Sequence, residues 1–168
     1  EDEEVRIDLD CLLAPLTRGQ IEMVLVQCIR AHSDCVDIVH AELEAPIASD
    51  DCEFDGDLDA VRGAIERATA YAMADSLTNA TKLLEAATDA ASLLDAETWT
   101  ELEQAWECVI GRYTSNMYDE MKRVFAVLAS CRERVLAQAG PVLCDPLRAL
   151  KAKIIRFRAD RPRKIRKV

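Results

Sequence analysis

Apolar residues recur three and four apart from about residue 17 to about residue 157, with hardly any β-type alternation, and that spacing predicts a chain of helices. The first start is at Thr17-Arg18-Gly19-Gln20, where Thr17 caps and Gln20 reaches back. Leu16 and Ile21 stand where a hydrophobic staple needs them, and Ile21, Val24, Leu25, Cys28 and Ile29 make one apolar face. After a break at Ala31-His32-Ser33-Asp34, Ser33 is expected to cap a second helix carrying Val36, Val39 and Leu43, which Pro46 ends. The two short helices form a hairpin.

Ser49 to Asp57 reads as an exposed acidic loop, and Asp57 opens a third helical region with Leu58, Val61 and Ile65 inward. That pattern runs through Tyr71, Met73, Leu77, Leu83 and Leu84 to Leu94, long enough that a break or kink is expected near Ser76 to Asn79. Asp95 caps the next helix, which turns Trp99, Leu102, Trp106, Val109, Ile110 and Tyr113 inward and is interrupted at Thr114-Ser115-Asn116. Tyr118, Met121, Val124, Phe125, Leu128 and Leu136 carry a further helix, stopped by Gly140-Pro141. Asp145-Pro146, a cap followed by proline at the first helical position, starts a last helix through Leu147, Leu150, Ile154 and Phe157, ended by Pro162. No heptad run and no fixed-period repeat is present. The expectation is an all-α chain: an acidic segment over 1–16, a single helical bundle of six or seven helices over 17–160, and a basic tail over 161–168.

Half of the 168 residues are apolar, enough for one core, and five glycines and five prolines are too few for many β-turns. No apolar run approaches the roughly 20 residues of a bilayer span. The start, Glu1-Asp2-Glu3-Glu4, is opposite in charge to that of a signal peptide. Seven cysteines, odd in number and without a CxxC pair, read as thiols in a reducing compartment, the nucleus or alternatively the cytosol.

The net charge of −10 hides two opposed parts. From Arg148 onward ten lysines and arginines face Asp160 alone, a net of +9, which leaves −19 on the remainder. The acidic body argues against broad nucleic-acid binding by the domain itself, because phosphates are repelled.

Candidate chemistry is sparse. Cys28, His32, Cys35 and His40 have the donor types of a metal site but match no zinc spacing, and Cys28 falls on the apolar face, so a core thiol and a helix-end histidine are expected. The segment from Asp51 to Gly56 has the glycine of a calcium loop but lacks the terminal glutamate. Neither histidine has a nucleophile-elbow serine nearby, and no Gly-rich phosphate loop occurs. The expectation is therefore no catalytic, cofactor-binding or metal residues, and no enzyme. Trp99 and Trp106, two turns apart, suit core packing first and an aromatic partner anchor second. Arg161, Arg163, Lys164, Arg166 and Lys167 form a basic run of the kind that binds an import receptor, nucleic acid or anionic lipid.

Residues Leu12-Leu13-Ala14-Pro15-Leu16-Thr17-Arg18-Gly19-Gln20-Ile21 through Cys28, followed by His32-Ser33-Asp34, resemble the opening of the folded domain in the nuclear proteasome tethering factors. The stretch from Asp95 to Trp106, with its tryptophan-containing helix, also looks like that family. About 30 residues match well and most of the body loosely. The resemblance implies a six-helix bundle similar in outline to 14-3-3 proteins, a homodimer, and a non-enzymatic adaptor that holds proteasomes in the nucleus. It also implies a proteasome contact in a lysine-rich N-terminal segment, where this chain has acids. The alternative is a structural subunit of a nucleic-acid-associated assembly, docked by its basic C-terminal arm.

Overall fold

The computed structural model describes residues 9–160. They form an all-α bundle with no strand among the described residues. The helices are α1 (Leu9–Leu13), α2 (Arg18–Ala31), α3 (Asp34–Glu44), α4 (Leu58–Met73), α5 (Leu77–Asp89), α6 (Ala96–Arg112), α7 (Tyr118–Ala139) and α8 (Cys144–Asp160). Short 3-10 turns fill Ser49–Cys52, Ala91–Leu93 and Ser115–Met117. The described chain divides into two compact units between Glu42 and Leu43.

Local capping accounts for most of the starts. The Thr17 side chain accepts from the Gln20 N–H at 3.3 Å, and Gln20 accepts from the Thr17 N–H at 2.9 Å, completing the box. Asp57 accepts from the Asp59 N–H at 2.9 Å and opens α4. Asp95 accepts from both the N–H and the hydroxyl of Thr98, at 2.8 and 2.6 Å, and opens α6. Ser33 does not cap: its hydroxyl donates to the Asp34 carboxylate at 3.5 Å, while the Cys35 and Val36 N–H groups bond to the carbonyls of His32 and Ser33.

The break after α4 comes at Ala74 to Ser76, slightly earlier than Ser76 to Asn79. Asp75 takes a left-handed conformation, φ 59°, which ends the helix, and its carboxylate receives Arg112 at 2.7 Å. Asn79 donates to the carbonyls of Leu43 and Ala45, and Lys82 to that of Ile47, so the end of α3 and the strap after it are tied to α5.

The second unit holds the core. α4 packs on α5 and α6, and α8 lies against α6 and α7. Val61, Leu83, Leu84, Leu102, Trp106, Val109, Met121, Val124, Leu128 and Leu150 are fully buried there. Two hydrogen bonds join polar groups inside it: Trp106 donates to Thr88 at 3.0 Å, and the Thr81 and Tyr113 hydroxyls share a 2.7 Å bond. Burial pushes the Tyr113 hydroxyl far up from its ordinary pKa and raises the Cys131 thiol as well. Leu136, expected inward, is exposed, and Cys131 and Val135 occupy the buried stripe of α7 in its place.

The last helix starts one residue before its expected cap. Gly140, φ 72°, ends α7, and Leu143 is buried with φ 63°. Glu103 in α6 accepts the Leu143 N–H, so α8 begins at Cys144 and the Asp145 carboxylate pairs with Arg148 at 3.0 Å. Pro146 falls in the first turn, where a missing N–H costs nothing.

Candidate interaction surfaces

Among its described residues the first unit has no buried side chain. α2 is an amphipathic 14-residue helix, yet no residue of α2 or α3 is buried. Ile21, Val24 and Leu25 on its apolar face remain exposed, Leu25 at 50%, and Ile38 of α3 is 66% exposed. Only Ile29, Cys35 and Val39 are half-buried in the two helices up to Glu42. Cys28, expected as a core thiol, is exposed because α1, α2 and α3 do not pack extensively on one another. A second apolar strip, Met23 and Val26, lies on the opposite side of α2 beside Gly19, in a shallow groove of about 330 Å³ edged by Glu22 and Arg30. Helical spacing thus places apolar side chains on both sides of one uncovered helix.

The second surface is α8. Its inner face, Leu147, Leu150, Ile154 and Phe157, packs into the core as expected. Its outer face carries Arg148, Lys151, Arg156 and Arg158, all exposed. Lys153 behaves differently: its ammonium donates to the carbonyls of Ile110, Gly111 and Tyr113 at 2.7, 2.9 and 2.9 Å, closing the C-terminal end of α6. Burial and the neighbouring Arg156 lower its pKa.

Residues 161–168, which contain Arg161, Arg163, Lys164, Arg166 and Lys167, lie outside the described residues, as does Pro162. The two tryptophans take the first of their two expected places, the core, and not that of exposed anchors. Trp106 is fully buried and Trp99 is 5% exposed, because both fall on the buried stripe of α6, from which Trp106 reaches Thr88 of α5. Trp99 does floor a cleft of about 350 Å³ together with Ala91, Val135 and Ala139, rimmed by Ser92 and Gln138. A second groove, about 400 Å³, runs between α4 and α6 and is lined by Ile65, Thr69, Glu66, Glu101 and Gln104. Beside it Arg62 bridges Glu97 at 2.9 Å and Glu101 at 3.5 Å.

Cys28, His32, Cys35 and His40 are not gathered into a metal site, and among the described residues no three His, Cys, Asp or Glu side chains are placed to hold an ion. Cys28, Cys35, Cys52, Cys108, Cys131 and Cys144 are free thiols. No described helix is long and apolar enough to cross a membrane. Set against family models, curated proteins and solved structures, the chain has no significant match.

Proposed function

We propose that this chain is a non-enzymatic helical adaptor, of the kind that tethers proteasomes in the nucleus, and that it docks its protein partner on α2 and α3. The observation that carries the adaptor reading is the apolar face of α2, with Ile21, Val24 and Leu25 exposed on a helix that has no fully buried residue. Apolar side chains grouped this way on a chain that elsewhere builds a full core belong to an interface, since covering them removes apolar area from water at about 25 cal/mol per Å². Helix-in-groove docking uses side chains at this spacing as anchors. The nuclear and proteasomal parts rest on the resemblance at Leu12 through Asp34 and on the basic run Arg161 to Lys167, which has the character of an import signal.

The test compares the full chain with Ile21→Asp/Leu25→Asp, both immobilised and exposed to nuclear extract. Proteasome subunits should be retained by the parent chain, and recovery from the variant should drop at least about tenfold, since two lost anchors of about 1–2 kcal/mol each exceed that factor. Absence of proteasome subunits from the parent eluate removes the tether reading. Equal recovery with the variant removes α2 as the docking face.

A further inference from the structure

We infer that the outer face of α8, built from Arg148, Lys151, Arg156 and Arg158, is a binding surface for the phosphate backbone of duplex nucleic acid, contacted without sequence preference. This surface is separate from α2, so the inference goes beyond the adaptor reading and does not depend on it.

Three observations carry it. The first is charge placement. In a helix, successive side chains advance by about 100°, so Arg148, Lys151 and Arg158 fall within an arc of roughly 80°, with Arg156 on the other flank. Arg148 has one exposed carboxylate neighbour, Asp145 at 3.0 Å, and Arg156 lies 5.5 Å over the Phe157 ring. Lys151 and Arg158 make no ion pair among the described residues. Exposed pairs such as Arg148–Asp145 are weak and exchange readily for a phosphate. Three of the four cations are arginines, whose planar forks match phosphate oxygens two at a time.

The second is shape. Glu103 of α6 receives the start of α8, and Lys153 of α8 sits on the end of α6, so the two helices run side by side in the same direction. Asp160 lies seven residues past Lys153, so α8 continues about 10 Å beyond that contact. Between the cations stand Ala152, Ala159 and Ile155, so the exposed side of α8 is a low ridge whose tallest polar side chains are the cations. Such a ridge can lie along the phosphates that border a groove about 12 Å wide.

The third is what surrounds the patch. Residues 1–147 carry −19, which repels a polyanion from the acidic body that precedes this helix. Ile155, 60% exposed, is the one large apolar side chain in the basic stripe, too little to seat a helix in a lipid interface. Cations without an apolar anchor favour a phosphate rod over a bilayer, and their spread over about 15 Å of helix matches several consecutive phosphates.

The test is fluorescence anisotropy of a labelled duplex of about 20 base pairs titrated with the full chain. About four phosphate contacts predict affinity falling on the order of 100-fold from about 50 to about 200 mM salt. Lys151→Glu/Arg158→Glu, both changes on exposed side chains, should keep the circular dichroism and melting temperature of the parent. It should bind at least about tenfold more weakly with a visibly shallower salt slope, and Lys151→Arg/Arg158→Lys should restore both. Phosphatidylserine vesicles and polyglutamate are titrated at the same salt as alternative polyanions. Binding to either as tight as to the duplex overturns the assignment to nucleic acid. So does a variant that binds the duplex like the parent, or a parent that does not bind it at low salt.

Discussion

Glu85 shows how a single side chain in this bundle ties stability to pH. It lies on the inner side of α5 with the Arg123 guanidinium 2.7 Å away, and burial still outweighs that partner, so its carboxyl titrates above the ordinary range. A carboxyl whose folded pKa exceeds its unfolded one binds protons more readily in the native state. Its contribution is therefore fully present below the unfolded pKa and is lost as pH rises through the folded pKa. Glu85→Gln lacks that loss. Urea midpoints at about pH 4 and about pH 7 should show the parent losing ground relative to the variant at the higher pH. A gap that stays constant, or opens the other way, would show that the Arg123 pair and not burial governs this group.

At the scale of elements, the sequence was most legible where the controlling atoms lie within a turn of each other. Thr17 with Gln20, Asp57 with Asp59 and Asp95 with Thr98 each settle a helix start by bonds spanning two or three residues. The inward stripe of α6 follows from its spacing alone, down to Tyr113. The start of α8 was not legible in this way. Its first residues are set by the left-handed Leu143 and by Glu103, forty positions earlier, and no local pattern announces a bond of that span. The two candidate surfaces differ in the same respect. The cations of α8 are visible in the sequence, whereas periodicity on α2 reveals an apolar face without revealing that its side chains stay exposed. Glu103→Ala should cost about 1–3 kcal/mol, the desolvation of a buried N–H left without its acceptor, read as a lower urea midpoint at unchanged slope. A loss under about 0.5 kcal/mol would mean that α8 is positioned by Lys153 and its apolar contacts alone.

Across the molecule, burial is distributed unevenly along the chain. From Ile47 to Leu150 the helices share one core, while α2 and α3 have no buried residue. An isolated helix of α2's length is marginal in water, since nucleation is costly and packing supplies most of the stability of protein helices. Amide hydrogen exchange on the free chain should therefore separate two classes. The amides of α2 and α3 open at small local cost, while those in the middle of α5, α6 and α7 open only with global unfolding. Equal protection in both classes would mean that α2 is held by contacts its exposure does not register. The uncovered face also has a consequence for how this chain tolerates change. Substitutions at Ile21, Val24 or Leu25 alter side chains outside the buried core, so a melting curve or a yield of soluble protein registers them weakly. Selection for thermal robustness alone would let this stretch drift toward polar residues, and the chain would keep its fold while losing the docking face proposed for α2.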